Sequence, residues 1–368
     1  MRSHLPRIGD QGMLVALVWL ASRLMMTLVG AVLLRANPSW SFVQLVGRWD
    51  VAHFTDIAKN GYGYDPTAPA FFPGLPLLLR AGAAIGVPME TFGVVIALIG
   101  SALATAALYR LFGAPAACLW LIAPTAIFTM VGYSEAPFCA AAFWAWYHAK
   151  RNHWGWAGLL AGLACAFRIS GVFLLAGLGI WALLKHGWAN RLRALAWLLV
   201  PLAVLGGFEF FLHGLTGSWT AWIQAQQAGW TRGFCAPWTS LWHTIQAGTV
   251  SQWPGRTEVA WVFRAEVVSM VIGLATTIWC LVRKRWAWAV YIGLQVIAFG
   301  TSYWFMSVNR AILVWFPLWA GLGAAITWRP ANQSRLVVWR LVQVVAVAAS
   351  LAMMLTWAWL FLTGLWAS

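Results

Sequence analysis

The sequence predicts an all-helical chain that crosses a membrane many times, as one domain spanning residues 1–368. Three observations carry this. Hydrophobic residues make up 62% of the chain and charged ones 9%, a balance foreign to water-soluble domains. Apolar runs of bridging length recur from end to end. Tryptophan appears 29 times, as expected where many helix ends meet the membrane interface.

Taken in order, the apolar runs place spans at 13–34, 91–109, 115–132, 135–149, 154–167, 169–184, 194–212, 261–282, 286–304, 310–327 and 341–364. That makes about eleven transmembrane helices. The first follows a short basic stretch (Arg2, Arg7) without a small-residue cleavage site, so it reads as an uncleaved first helix. Two long polar segments separate the spans, at 35–90 and 213–260. With the N-terminus cytoplasmic, the inner loops collect 14 of the 24 basic residues and one acid, Asp10. Such a bias of bases sets orientation, and it requires 71–88 to stay outside as a short helix. Both polar segments then lie on the outer face of what reads as a bacterial inner membrane. The net charge of +15 faces anionic lipid rather than nucleic acid. Cys118, Cys139, Cys165, Cys235 and Cys280 lie scattered, without metal-ligand spacing or an even count for a disulfide framework.

The first outer segment holds the chemistry. Gly47–Arg80 carries Asp50, Asp56 and Asp65 in a chain with nine acids. Phe42, Leu45, Val46 and Trp49 repeat at helical spacing, so 41–60 reads as one amphipathic helix along the interface. Asp50 shares a face with His53 and Phe54, while Asp56 and Asp65 are expected to point away. Asn60-Gly61 ends the helix, and a second short helix follows Phe71-Phe72-Pro73. The plainer reading is a connecting loop with solvated acids, but acids beside a membrane usually have a task.

RWDVAHFTDIAKNGY followed by FFPGLP resembles the first outer loop of the PIG-V-type mannosyltransferases, a family of the GT-C glycosyltransferase superfamily. Trp49, Asp50, His53, Phe54, Ile57, Ala58, Gly61, Tyr62, Phe71, Phe72 and Pro73 carry the likeness. It implies a GT-C fold with amphipathic helices in the first outer loop. The implied donor is a polyprenyl-phosphate-linked sugar, with mannose the sugar. The acceptor is then a lipid or glycan hydroxyl, with membrane lipids around the protein. Asp50 corresponds to the residue taken as the catalytic base. Sugar transfer to an alcohol needs such a base for the acceptor proton. His53, one turn on, either orients Asp50 or binds substrate; its plainer reading is a packed interfacial ring.

Looser likenesses follow along the chain. PTAIFTMVGYSEAPF resembles the family's Tyr-Ser-Glu stretch and marks Tyr133 and Glu135 for substrate; a carboxylate at a helix start also has a purely electrostatic reading. AFRISG marks Arg168, with Ile169 and Ser170 where Pro and Thr are common. AQQAGWTRGFCAPW marks Gln226, Trp230 and Arg232, with Thr231 in place of glycine. SVNRAILVWFPLW marks Arg310, with Ala311 replacing tyrosine. A lipid phosphate needs cations, and arginine offers a fixed fork. The alternative is structural pairing, favoured for Arg23 and open to Arg168, with Glu135 or Glu209 as partner. Trp230, Trp238, Trp242 and Trp253 offer stacking faces for sugar rings, or simply anchor the interface.

No paired carboxylates, DxD, P-loop or GxSxG occurs. A divalent cation is therefore unsupported, although Asp50, Glu135 and another outer acid have the chemistry to hold one if they converge. No other cofactor is implied. The competing classes are a transporter or lipid flippase, with Arg23, Arg168 and Glu135 along a path, and a transferase using another donor. Transporters often carry internal repeats with matching broken helices, and no such symmetry is visible here.

Overall fold

The computed structural model describes residues 8–185 and 187–367; the expected inner bases Arg2 and Arg7 lie outside them. Helices joined by turns make up the described chain, with one isolated bridge, Phe234 to Ser302. Helix α1, Ile8–Ala36, is a long apolar rod. The expected helix over 41–60 is two helices, α2 (Phe42–Val46) and α3 (Asp50–Asn60). Ser41 and Gln44 form a reciprocal capping box that starts α2. The Gly47 N–H returns to Val43 O and closes it. Trp49, at φ 57 and ψ −128, then turns the chain so that Asp50 opens α3. Gly61, at φ 78, ends α3 where the sequence places its stop.

Helix α4, Gly74–Ala84, follows Pro73 and has eleven residues, too few to cross a bilayer. Next come α5 (Met89–Phe112) and α6 (Ala114–Leu121). The expected span 115–132 is not a continuous helix. Pro124 cannot continue α6, and the chain proceeds through a 3₁₀ turn at Ala126–Thr129 to Ser134. Ala123, Ile127, Phe128 and Val131 of this segment are almost wholly buried. Irregular backbone is tolerated at membrane depth only when protein covers it in this way.

Helices α7 (Glu135–Lys150), α8 (Trp154–Phe167), α9 (Ser170–Lys185) and α10 (Trp188–Thr216) follow. The second polar segment holds α11 (Ala221–Trp230) and α12 (Pro237–Ala247). Then come α13 (Thr257–Val282), α14 (Trp286–Gly300), α15 (Val308–Ala311), α16 (Phe316–Thr327) and α17 (Gln333–Thr363). Among the described residues five helices, α1, α5, α10, α13 and α17, are long and apolar enough to cross a membrane. A sixth arises if Val308–Val314 and Phe316–Thr327, bent by 73°, form one broken crossing. Pro317, which lacks an N–H, opens the second half.

Close backbone approach fixes the centre. A Cβ on Gly100 of α5 would lie 2.8 Å from the backbone of Ala136 and Pro137 at the start of α7. A Cβ on Gly93 would lie 2.9 Å from Gly132 Cα. These two glycines let α5 seat the Gly132–Glu135 corner, which belongs to the site.

Candidate active site

Five ionisable side chains from distant parts of the sequence meet where α3, α7, α9 and α15 present their N-terminal ends. Asp50 stands in the first turn of α3. Its Oδ2 lies 2.6 Å from Arg310 Nη1, and its backbone N–H donates to the Tyr133 hydroxyl at 3.2 Å. Arg310 Nη2 also donates to Ser307 Oγ at 3.0 Å, and its guanidinium lies over the rings of Phe128 and Tyr133 at 5.3 and 5.2 Å. Glu135 is fully buried, with Oε1 2.6 Å from Arg168 Nη1 and 3.6 Å from Arg310 Nη1. Arg168 donates to Ser134 Oγ as well. Arg232 donates through Nη2 to Met306 O and Ser307 Oγ, both at 3.1 Å. Three guanidiniums thus surround two carboxylates.

The backbone works against its own preferences here. Trp49, Thr231 and Ser307 have φ of 57, 54 and 68. Each left-handed non-glycine residue costs about 1–3 kcal/mol and persists only where its surroundings demand it. They directly precede Asp50 and Arg232 and begin the turn to Arg310. Ser307 is held by Glu266 of α13, whose carboxylate oxygens accept from Ser307 N–H and Asn309 N–H at 2.9 and 2.8 Å. Ser269 Oγ donates to Asn309 Oδ1 at 2.7 Å behind them. Glu266 and Ser307 were not among the expected site residues. An acid inside the 261–282 run was the signal for Glu266; Ser307 opens the SVNRAILVWFPLW stretch, which pointed to Arg310 alone.

Two cavities meet at Asp50 and Arg310. The first, about 400 Å³, is walled by Phe72, Phe167, Phe173 and Phe299, and Arg168, Arg232 and Gln226 reach it. The second, about 530 Å³, has His53, Asp65, Tyr133, Trp253, Arg256 and Trp304 on its walls. Trp230 and Ser307 border both. Trp238 and Trp242 line neither and are exposed.

Other expectations need correction. His53 does not orient Asp50, which Arg310 and Tyr133 hold; its ring stacks on Phe71 with centroids 4.9 Å apart. Asp65 does not point away but lines the second cavity, its Oδ1 accepting from Thr67 N–H and Oγ1, each at 2.6 Å. Those two bonds, the hydroxyl's first, hold the Asp65 carboxyl below the usual range. Arg23 is buried and donates to Thr129 Oγ1 at 2.7 Å, while Glu135 pairs with Arg168 instead. Gln226, on the first cavity as expected of a site residue, donates through its side chain to Ala70 O at a long 3.4 Å. Among the described residues no three His, Cys, Asp or Glu side chains converge as a metal site would.

Burial, and then the neighbouring Arg310 charge, pushes the Arg232 guanidinium down to about 10, so it remains charged at neutral pH. Burial, and then the Asp50 charge, pushes the Tyr133 phenol well above its usual range, so it stays a neutral hydrogen-bonding group. The two cavities share the Asp50 carboxylate, with the Arg168, Arg232 and Arg310 guanidiniums beside it.

No family model matches the chain. GPI alpha-1,6-mannosyltransferase 2 of Mus musculus is 38% identical over 165 residues, covering 38% of this chain and 33% of that protein. The protein of the same name from Rattus norvegicus is 37% identical over 165 residues, with the same coverages. The Homo sapiens protein is 31% identical over 164 residues, covering 38% of this chain and 33% of its own. In these matches the chain spans about a third of the relatives' length. These relatives are of the PIG-V type that the first loop resembles. The crystal structure of ArnT from Cupriavidus metallidurans bound to undecaprenyl phosphate superposes with a TM-score of 0.52 at 14% identity, covering 91% of this chain and 63% of that one. That likeness is one of fold, and the fold is GT-C.

Proposed function

We propose that the chain is a membrane glycosyltransferase that moves a hexose from a polyprenyl-phosphate sugar to a hydroxyl of a lipid or glycan. Mannose is the sugar favoured by the likeness to GPI alpha-1,6-mannosyltransferase 2. The observation that carries the reading is the Asp50–Arg310 pair on the boundary between a phenylalanine-walled cavity bearing three arginines and a tryptophan-lined one bearing His53 and Asp65.

In this reading the first cavity takes the donor. Phenylalanine walls suit a prenyl tail, and Arg168, Arg232 and Arg310 face its phosphate. The second cavity takes the acceptor, with Trp253 and Trp304 as faces for a sugar ring. The acceptor hydroxyl gives its proton to an Asp50 carboxylate oxygen. Its oxygen forms a bond to the anomeric carbon as the bond from that carbon to the phosphate oxygen breaks. The electron pair leaves with the phosphate, and the guanidiniums meet the charge that develops there. A single displacement of this kind inverts the anomeric centre.

The pair itself supplies an order of events. While Arg310 holds Asp50 at 2.6 Å, that carboxylate oxygen is occupied by the guanidinium. A donor phosphate competes for the same guanidinium and frees the carboxylate, so donor binding arms the base. The site faces the outer side of the membrane, a reading that rests on the bias of basic residues.

The test is transfer by the purified protein, given a short-chain polyprenyl-phosphate mannose and a panel of lipid and glycan acceptors. The reading expects glycosylated acceptor and polyprenyl phosphate in equal amounts. Failure with this donor, alongside transfer from a nucleotide sugar, contradicts it.

A further inference from the structure

A third cavity, about 610 Å³, lies at the opposite end of the molecule. Three helices fix that relation. Helix α7 begins at Glu135 in the site and ends at Lys150 on this cavity. Helix α9 begins with Ser170 on the donor-side cavity and reaches this one through Trp181 and Leu184. Helix α14 runs the other way, from Trp286 here to Phe299 on the donor-side cavity. Rods of 15 or 16 residues are about 22–24 Å long, most of a bilayer core.

The lining has a single sign of charge. Lys150, Lys284 and Arg285 face the cavity, and among the described residues no carboxylate does. The bases rest on aromatic rings. Lys150 Nζ lies 5.8 Å from the Phe112 ring, and the Arg285 guanidinium lies 4.4 Å from Trp288 and 5.0 Å from Trp279. Cation–π contacts place these charges without neutralising them. Burial, and then the charges of Arg285 and Arg151, lowers the Lys150 ammonium at the end of α7, so the cluster repels itself. Lys284, at φ 52, makes the left-handed turn between α13 and α14 that brings the bases together. The N-terminus of α14 opens at the cavity and adds the positive end of its dipole.

The rim selects the kind of anion. Leu184 and Trp286 are 54% and 48% exposed at the cavity, an apolar edge that suits acyl chains better than a soluble solute. Tryptophan beside basic residues is how membrane proteins meet headgroups.

We propose that this cavity binds the phosphate headgroup of an anionic phospholipid from the leaflet on the far side from Asp50. Lys150, Lys284, Arg285 and the first turn of α14 hold the phosphodiester, and Trp286 and Leu184 pack on its glycerol and upper chains. Through α7, α9 and α14, the lipid ties together the far ends of helices that carry Glu135 and the donor-side wall.

The experiment uses the full chain in phosphatidylcholine nanodiscs with and without phosphatidylglycerol, and in detergent with inorganic phosphate. Lipids co-purifying from the mixed nanodiscs are counted by native mass spectrometry, and thermal unfolding is followed in parallel. The wild type should retain phosphatidylglycerol and unfold at higher temperature with it. Replacing Lys150, Lys284 and Arg285 by Gln together should weaken retention about tenfold or more. Exposed bases elsewhere, Arg335→Gln with Arg340→Gln, should leave it unchanged. If the triple variant does not fold, Lys284→Gln alone carries the same comparison. Undiminished retention in the variants overturns the proposal. So does inorganic phosphate that stabilises the wild type as strongly as phosphatidylglycerol, since the site then takes a soluble anion.

Discussion

In a chain with 9% charged residues, each ionisable side chain must be accounted for. That is why Asp50, Glu135, Arg168, Arg232 and Arg310 stand out in the sequence. Their pairing does not, because 260 positions separate Asp50 from Arg310 and no local pattern encodes that meeting. Arg310 uses two nitrogens, one on Asp50 and one on Ser307. A lysine keeps the charge and loses the fork. Arg310→Lys should therefore raise the donor concentration needed for half-maximal rate about tenfold or more, the scale of one lost charge-assisted bond. Arg232→Lys should act in the same direction, and donor titrations of the two variants check both. Thr231 stands in a left-handed position that favours glycine. Thr231→Gly should keep or raise the unfolding temperature and preserve transfer; a marked fall in unfolding temperature contradicts the account of that turn.

Elements were legible in kind and misread at their breaks. Periodicity and apolarity detect helices but are blind to a chain that stays apolar while its backbone leaves the helix. Ala123–Ser134 is such a stretch: buried as deeply as any helix, yet turned by Pro124 and a 3₁₀ segment. The 41–60 helix failed for a related reason, since Trp49 sits in phase with the apolar stripe but outside helical φ and ψ. Both breaks bring polar groups to the site, Tyr133 and Ser134 from one and Asp50 from the other. The contact that seats the first break is testable. A side chain at Gly100 meets the backbone of Ala136 and Pro137 at 2.8 Å. Gly100→Val should destabilise by about 1–3 kcal/mol, the usual penalty of overpacking, and slow transfer by moving Glu135. Gly206→Val, with open space around it, serves as control for both unfolding and transfer.

For the whole molecule, composition gave the class, and the bias of bases gave a layout with two kinds of end. The site gathers the helix ends bearing Asp50, Glu135 and Arg168, and the far end gathers Lys150, Lys284 and Arg285. Sequence could not supply the depth of the site or the meeting of two cavities, which depend on how many helices converge. In a Cys235→Ser background, Ile85→Cys on the exposed turn after α4 should react with an impermeant thiol reagent from the outer side, and Arg151→Cys should not. The reverse pattern inverts the layout. The central claim is that Asp50 takes the acceptor proton, and sugar transfer by purified Asp50→Asn tests it most directly. The amide keeps the size of the side chain and cannot accept the proton. With unfolding temperature and donor binding retained, turnover should fall about 10²–10⁴-fold, while Asp56→Asn and Asp65→Asn remain much milder. Near-normal turnover in Asp50→Asn, with transfer abolished by Glu135→Gln, would contradict the account and move the base to the other carboxylate.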